Sequence, residues 1–355
     1  MVPGRWCPES HPAAGALAGS PRRSAGGSVH LKSLARLRLG VSTCLTGEAV
    51  RHDGEHRREH WLMDRLAAFS ELAPFCPELV LGVPREATSL MRDESGVLRI
   101  LGQTTGKDHS ATLDESSRAQ LDGTDLEALD GWVFKSNSAS CALQPIEVSG
   151  DGPRPERAPG RFSAAIQDRC SWLPVIDEKQ LLEPAQRRHF LEQAFARAHW
   201  RELVASLDDD EADRDQAVSS WLQCFDLLLM ARELKPIRAS AGCCDLALLR
   251  SHAHLLFASL KSPATPAGQV AALREAGEHL EVIEDERAAL AILISEYAAD
   301  RMDVEVPRQL LRGLCARGGD RWLRAQRFMD PFPVAWLDPA ANSLPWPARH
   351  PAERP

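Results

Sequence analysis

The chain has 355 residues and a formal net charge of −8, with 44% hydrophobic and 26% charged residues. This composition is typical of a soluble globular protein that is long enough for two domains. No uninterrupted apolar run approaches the roughly 18–20 residues of a membrane-spanning helix, and the acidic balance argues against a general nucleic-acid surface. We therefore expect a cytoplasmic protein with neither a membrane nor general nucleic acid among its partners.

The N-terminal stretch, residues 1–33, is basic, is rich in Gly, Pro, Ala and Ser, and shows no sustained periodicity. It lacks the apolar core of about 7–15 residues that a secretory signal requires. We predict that it is a disordered tail or a start assigned upstream of the true one. Two folded domains are predicted to follow, at residues 34–176 and 177–338, with a proline-rich tail at 339–355.

Strand-like and helix-like patterns alternate along the first domain. Leu37, Leu39 and Val41 have the period-2 spacing of a strand, and residues 59–72 have helical apolar spacing. Further strands are predicted in the sequences GVLRILGQTTGKD, GWVF and WLPVIDE, and further helices near residues 116–129 and 162–170. This alternation predicts an α/β domain of three layers, in which a mainly parallel sheet lies between helices.

Beyond Asp177 the apolar spacing is helical throughout. The segment RRHFLEQAFARAHWRELVASL places its large apolar residues near one helical stripe, and the later segments continue in the same way. We therefore predict that the C-terminal domain is all-α.

The nine cysteines suggest metal or catalytic chemistry more than a disulfide framework, because their number is odd, no export signal is visible and no CxxC motif occurs. Cys44 and Cys141 follow predicted strands and should lie at the carboxyl edge of the sheet, where α/β proteins bind ligands. Cys76 could reach that edge only through its loop. Three thiolates there could hold zinc or three corners of a [4Fe–4S] cluster, and they could also be buried free cysteines.

Four short stretches in this order resemble the thiouracil desulfidase family and its uncharacterised bacterial relatives. They are VSTCLTGEAVRHDG, CPELVLGVPRE, TTGKD and FKSNSASCA, within roughly residues 34–170. The helical half resembles the YbgA-like domain of unknown function that is often fused to that family. This second resemblance is carried by LKSPAT, by the Leu273–Ala299 segment, and by VPRQLL and RAQRFMDPFP.

The resemblance implies an enzyme with a [4Fe–4S] cluster held by Cys44, Cys76 and Cys141, in which one iron lacks a protein ligand. Such a desulfidase would replace C=S by C=O in a small thiolated nucleobase or a similar thioamide. By matching positions, Glu78 is the candidate base and Ser138 the candidate hydrogen-bond donor to the substrate. The remaining residues that could line the pocket are Asp53, Arg85, Lys135 and Ser140.

Structural roles for the same residues are open alternatives. Glu78 could stabilise a turn or pair with Arg85, Ser138 could cap backbone amides, and Asp53 could simply form an Asp-Gly turn.

The sequence also departs from the family pattern. Ala139 and Ala142 replace the proline and glycine of the usual S-P-S-C-G, and Ala142 would strain the loop by about 1 kcal/mol if that glycine takes positive φ or allows a close backbone approach. In the helical half, Phe225 and Asp226 replace a usual His-Lys pair. The departures at Ala139 and Ala142 favour a second hypothesis, a non-catalytic iron–sulfur or zinc protein with a binding or regulatory role, whose helical domain binds a partner protein.

Overall fold

The computed structural model describes residues 36–149, 156–207, 211–239 and 246–333. The predicted tails at 1–33 and 339–355 lie outside these ranges. The strands within them are β1 Leu37–Ser42, β2 Ser70–Phe75, β3 Thr88–Arg92, β4 Leu98–Gly102, β5 Gly131–Phe134, β6 Ile146–Ser149, β7 Glu156–Ala158 and β8 Val175–Asp177. The α-helices are α1 His60–Asp64, α2 Ser110–Asp122, α3 Arg161–Arg169, α4 Glu178–Leu182, α5 Pro184–Ser206, α6 Glu211–Gln223, α7 Asp226–Met230, α8 Leu246–Leu260, α9 Pro266–Glu278, α10 Glu284–Ala298, α11 Glu305–Gly318 and α12 Arg321–Ala325.

The main sheet has the strand order β2-β1-β5-β8, and all three strand pairs are parallel. Its central strands β1 and β5 are almost entirely buried, which is the pattern expected when both faces of a parallel sheet are covered. On one face, Phe190 and Phe195 of α5 share an apolar core with Leu37 and Leu39. On the other face, Trp132 packs with apolar residues that include those of α3. The predicted α/β fold is thereby confirmed.

A second sheet has the order β4-β3-β6-β7, with antiparallel pairs at both ends and a parallel pair in the middle. Only the strand and turn near residue 100 were predicted from the sequence. The other strands of this sheet have three to five residues and only one buried residue each. Strands this short and exposed carry little hydrophobic periodicity, which explains why the sequence did not reveal them.

The helix predicted over residues 59–72 is wrong beyond its first turns. Helix α1 ends at Asp64, a 3₁₀ turn spans Leu66–Phe69, and strand β2 then occupies Ser70–Phe75. Strand β2 contains Pro74 and lies at the edge of its sheet, where a missing backbone donor is tolerated. Cys76 therefore follows a strand directly and does not depend on a long loop to reach the carboxyl edge.

The helices after β8 build the C-terminal half, in agreement with the all-α prediction. Within the described ranges, every regular element from residue 178 onward is an α-helix. The first long helix, α5, packs against the main sheet, whereas the later helices surround a separate apolar core. The domain boundary at residues 176 and 177 stays a prediction. In the part of the chain that the structure describes, no helix has the length and apolarity required to cross a bilayer.

A candidate cysteine-lined site at the carboxyl edge of the parallel sheet

Three cysteines lie just beyond the carboxyl ends of neighbouring parallel strands. Cys44 is in the 3₁₀ turn that follows β1, Cys76 directly follows β2, and Cys141 is in the loop after β5. The thiols are close enough to act on one another electrostatically, since a charge on Cys76 affects Cys44 and charges on both affect Cys141. The topology thus brings all three of these predicted ligands to one edge of the sheet.

Burial makes the thiolate form of each cysteine unfavourable when no metal is bound. It raises the pKa of Cys44 to about 12 and that of Cys76 to about 11, and it raises the pKa of Cys141 well above its usual range. Metal ligation requires thiolates, so a bound cationic centre would supply the stabilisation that the protein lacks. The donor set of three sulfurs fits the soft ligands preferred by an iron–sulfur cluster.

A cluster differs from a single ion in how its ligands are placed. Sulfurs around one zinc lie on a tetrahedron with Zn–S bonds of about 2.3 Å, whereas cysteines that hold a cluster bind separate irons. In the described ranges, no group of three or more His, Cys, Asp and Glu side chains is arranged to hold one metal ion.

The loop that carries Cys141 is polar in sequence yet buried in the structure. Ser136, Ser140 and Cys141 are 4%, 1% and 7% exposed, and Cys141 packs in the apolar cluster that contains Trp132. The polar setting of this cysteine therefore does not indicate exposure. Among the described residues of this loop, positive φ at a non-glycine residue occurs at Asn137, not at Ala142, so the strain that positive φ would cause at Ala142 is absent.

Glu78 lies between Ser138, the candidate hydrogen-bond donor, and the buried Arg85. Its Oε1 accepts a hydrogen bond from Ser138 Oγ at 3.1 Å, and its Oε2 accepts one from Arg85 Nη2 at 2.6 Å. The side chains of Arg85 and Glu78 are 6% and 15% exposed, so this ion pair is largely shielded from water. Ser138 Oγ also accepts hydrogen bonds from the amides of Ser140 and Cys141. The pairing and capping roles considered from the sequence are therefore present, and they connect Glu78 to the cysteine loop.

Two buried polar atoms beside this network have no protein partner. They are Arg85 Nε and Ser140 Oγ. The other donors of Arg85 are used, because its Nη1 donates to the carbonyl oxygens of Val50 and Gly82 at 3.1 Å each. Buried polar atoms without partners are uncommon, and they often mark sites that bind a ligand or an ordered water.

Lys135 is held by a residue that the sequence did not indicate. Its Nζ donates to Glu178 Oε1 at 2.5 Å and to the carbonyl oxygen of Ser136 at 2.8 Å. The positive charge of Lys135 acts on the Cys44 thiol and favours its thiolate. Lys135 and Glu178 are 43 positions apart in the chain, so no local motif could have revealed the contact.

Asp53 forms a turn and an ion pair, and it has no described contact with the cysteines. Its Oδ2 accepts from Arg51 Nη2 at 2.8 Å, and its Oδ1 accepts from the amide of Glu55 at 3.1 Å. The hydrogen bond from Arg51 is the main reason that the pKa of Asp53 is far below its usual range. Any influence of Asp53 on the site would pass through Arg51, whose charge reaches Cys44.

A cavity of about 250 Å³ adjoins the site through Arg85. Its lining residues are Leu81, Arg85, Glu86, Thr105, Lys107 and His109. Glu86 accepts hydrogen bonds from Thr105 Oγ1 and from the amides of residues 104 and 105, and these bonds lower the pKa of Glu86 to about 2. The stretch TTGKD therefore forms a wall of this cavity, and Glu86 and His109 are cavity residues that the sequence did not reveal.

In the helical half, the two residues that replace the usual His-Lys pair have structural contacts. Phe225 is 1% exposed and belongs to the helical core, whereas Asp226 forms an ion pair with Arg238 at 2.6 Å. Trp322 also donates to Asp226, at 3.4 Å. The cysteines at 243 and 244 lie outside the described residues.

Two family models match the sequence, one for each half. Residues 39–178 match the model described as 2-thiouracil desulfurase, and residues 229–333 match the model of a protein of unknown function, DUF1722. No curated protein matches the chain. A solved structure of a [4Fe–4S]-dependent thiouracil desulfidase, TudS, is 25% identical, with a TM-score of 0.34, over 41% of this chain and 94% of that one. The chain is thus similar to the 2-thiouracil desulfurase family in its N-terminal half and to DUF1722 in its C-terminal half.

Proposed function

We propose that this protein is an iron–sulfur-dependent desulfidase that replaces C=S by C=O in a thiolated nucleobase or a similar small thioamide. The observation that carries the proposal is the meeting of three cysteines with the hydrogen-bonded pair of Glu78 and Ser138 at one sheet edge. The match of residues 39–178 to the desulfurase family supports the same reaction class. The overall change is a hydrolysis, in which water supplies the new carbonyl oxygen and sulfur leaves as hydrosulfide.

Cys44, Cys76 and Cys141 would hold a [4Fe–4S] cluster and leave one iron without a protein ligand. When bound, the cluster supplies a soft Lewis acid that binds the thiocarbonyl sulfur and makes the adjacent carbon electrophilic. Cys141 is buried and the other two cysteines are partly buried, so the reacting group would lie in a partly shielded site, where electrostatic interactions are stronger than in bulk solvent.

Glu78 is the base that we propose for the attacking water. Each carboxylate oxygen accepts one hydrogen bond from the protein and retains a lone pair for the water proton. The bond from Arg85 fixes the rotation of the carboxylate, so the base is positioned before the substrate enters. General base catalysis of this kind typically accelerates a reaction by about 10²–10⁴-fold.

Ser138 would orient the substrate through the same hydroxyl that now contacts Glu78. Its oxygen is held by the amides of Ser140 and Cys141, at 3.2 Å and 3.1 Å. Its hydroxyl hydrogen can turn from Glu78 to a polar atom of the substrate without moving the oxygen. Arg85, Lys135 and Ser140 complete the proposed surroundings, and Asp53 would act only through Arg51.

The first test measures iron and acid-labile sulfide after anaerobic reconstitution, and then hydrosulfide release from 2-thiouracil and 4-thiouracil. We expect about four irons and four sulfides per chain and release of hydrosulfide with formation of the oxo-base. Glu78→Gln should retain the cluster and lose at least about 10²-fold in kcat, because the amide cannot accept the water proton.

Cys141→Ser is the variant that tests the ligand assignment, and Cys170→Ser is its matched control. Both cysteines are buried and belong to the same apolar cluster, but Cys170 lies at the end of α3. We expect Cys141→Ser to lose the cluster and hydrosulfide release, and Cys170→Ser to retain both. Full turnover by Cys141→Ser would contradict the proposed function.

The non-catalytic hypothesis has a distinct signature. Ala139 and Ala142 replace family residues in the cysteine loop, and this is the observation that favours it. A chain that holds the cluster and releases no hydrosulfide from any thio-base would support a binding or regulatory role. Zinc in place of iron would support the zinc alternative. A protein partner of the helical domain stays a prediction in either case.

A further inference from the structure

Glu178 makes an unusually complete set of contacts for a residue outside the three cysteine segments. It is the first residue of α4, directly after strand β8, and its side chain is 13% exposed. Its Oε1 accepts from Lys135 Nζ at 2.5 Å and from Ser136 Oγ at 2.7 Å, and its Oε2 accepts from the amide of Ser136 at 2.6 Å. One carboxylate thus holds two consecutive residues at the start of the cysteine loop.

The same two residues are also attached to the end of β1. The amide of Lys135 donates to Ser42 Oγ at 2.9 Å, and Ser42 stands two positions before Cys44. The turn at residues 135–136 is therefore fixed between the segment that carries Cys44 and the start of α4. Ser138 and Cys141 follow within six residues of Lys135.

Lys135 has no donor left for a substrate in this arrangement. Its ammonium group contacts Glu178 Oε1, the carbonyl oxygen of Ser136 and, at 3.4 Å, Ser136 Oγ. An ammonium group has three hydrogens, and these contacts account for all of them. These hydrogen bonds hold the Lys135 side chain within the turn, although its positive charge still acts on the Cys44 thiol.

We propose that Glu178 is a positioning residue of the desulfidase site, which fixes the turn at residues 135–136 and thereby sets the position of Ser138 relative to Glu78. This inference rests on the proposed function for its catalytic consequence, whereas its geometric part stands independently. A displacement of about 1 Å in a reacting group can lower a rate by up to roughly 10²-fold, so loss of this tie should mainly affect turnover.

Glu178→Gln is the informative variant because every partner of Glu178 in this network is a donor. A glutamine side chain offers one acceptor oxygen and two N–H donors, so its amide nitrogen would face either Ser136 or Lys135 donor to donor. Glu178→Asp retains two acceptor oxygens on a shorter side chain. We expect kcat per cluster to fall about tenfold in Glu178→Gln with KM changed less than threefold, and we expect Glu178→Asp to recover part of the loss.

A double variant separates positioning through the turn from an independent effect. If Glu178 acts through Lys135 and Ser136, Lys135→Met combined with Glu178→Gln should be no more than about twofold slower than the slower single variant. A double variant whose loss equals the product of the two single losses would overturn the proposal. So would a kcat per cluster of Glu178→Gln within twofold of the wild-type value.

A second readout does not depend on activity or on the cluster. The sequence has six lysines, at positions 32, 107, 135, 179, 235 and 261. In the full chain before reconstitution, ¹H–¹⁵N correlation of lysine ammonium groups should show a slowly exchanging signal that disappears in Lys135→Met. We expect the same signal to be lost in Glu178→Gln, and its persistence there would overturn the proposal even if that variant failed to bind iron.

Failure of the proposed function can be distinguished from failure of the positioning role of Glu178, and a control variant is available for both. Glu156→Gln removes the carboxylate of another ion pair, that with Arg92 in the second sheet, and should leave kcat and the Lys135 signal unchanged. If the wild-type protein binds the cluster and releases no hydrosulfide, the proposed function fails. The ammonium signal would still decide in that case whether Glu178 holds the turn.

Discussion

Gly160 is the position at which a single methyl group should disturb the candidate site most directly. A Cβ atom at this residue would lie 2.5 Å from the carbonyl oxygen of Ser140 and 2.6 Å from the amide nitrogen of Ala142. Both atoms are backbone atoms on either side of Cys141, so they cannot swing away as the end of a long side chain would. Ordinary contact begins near 3.4 Å, and the loop must therefore retreat by about 0.9 Å.

The effect of Gly160→Ala can be separated from any backbone preference. Gly160 has φ −64° and ψ 146°, a conformation that alanine adopts freely. Overpacking typically costs about 1–3 kcal/mol, and the smaller unfolded-state entropy of alanine offsets roughly 0.4–1 kcal/mol of that cost. We expect a net loss of about 1–2 kcal/mol in the free energy of unfolding, together with reduced iron per chain because the Cys141 sulfur is displaced.

The assay is urea unfolding of the chain without metal, followed by iron and sulfide analysis after reconstitution. Gly313→Ala is the matched control, because Gly313 lies inside α11 and a Cβ there would meet no heavy atom within 4 Å. That variant should be stabilised by about 0.5–1 kcal/mol and should bind iron normally. Wild-type stability and full cluster content in Gly160→Ala would refute the conclusion that this close backbone approach sets the position of Cys141.

Three further variants test other parts of the structure. Arg85→Met leaves Glu78 buried without its counter-charge, so urea unfolding should show a loss of about 3–5 kcal/mol in the free energy of unfolding. Arg85→Lys should lose less. Equal stability of the wild type and both variants would contradict a stabilising buried ion pair. Arg197→Met removes the donors to the carbonyl oxygens of Leu129 and Glu127. The free energy of unfolding should fall by about 2–4 kcal/mol, and a lower Tm in thermal unfolding would show this loss. Burial lowers the pKa of His199 from 6.5 to about 3. As the pH decreases, this histidine is therefore protonated in the unfolded chain before it is protonated in the folded protein. The free energy of unfolding should accordingly fall by about 1.4 kcal/mol per pH unit below pH 6.5. His199→Phe should remove this contribution to the pH dependence. If the variant and the wild type lose the same free energy of unfolding between pH 7 and pH 5, His199 does not make this contribution.

The main sheet and part of the site could be predicted because their signals are local. The alternation in β1 and the apolar run of β5 identify buried parallel strands, and the parallel topology then places Cys44 and Cys141 at one edge. Strand β2 was missed because its residues continue the helical spacing of α1 and include Pro74, which is tolerated only because β2 is an edge strand. A local pattern does not report which strand has a free edge.

The contacts that fix the site could not be predicted because they join distant residues. Glu178 meets Lys135 across 43 positions, and Ser138 meets Glu78 across 60. The burial of the cysteine loop was also hidden, since Ser136 donates to Glu178, Ser138 accepts from two amides of the loop, and Ser140 is buried although its hydroxyl has no protein partner. A polar sequence predicts exposure only when its hydrogen bonds are made to water.

The placement of Glu178 has a consequence for the relation between the two halves of the chain. Helix α4 begins at Glu178, and α5 follows it after a single intervening residue. Arg187 of α5 donates to the carbonyl oxygens of Leu181 and Leu182, so the end of α4 is attached to the first long helix of the C-terminal half. These contacts form a continuous path from α5 through α4 and Glu178 to the turn at residues 135–136, which precedes the loop of Cys141. The first long helix of the C-terminal half is thus connected, through α4, to the residue whose carboxylate accepts hydrogen bonds from Lys135 and Ser136.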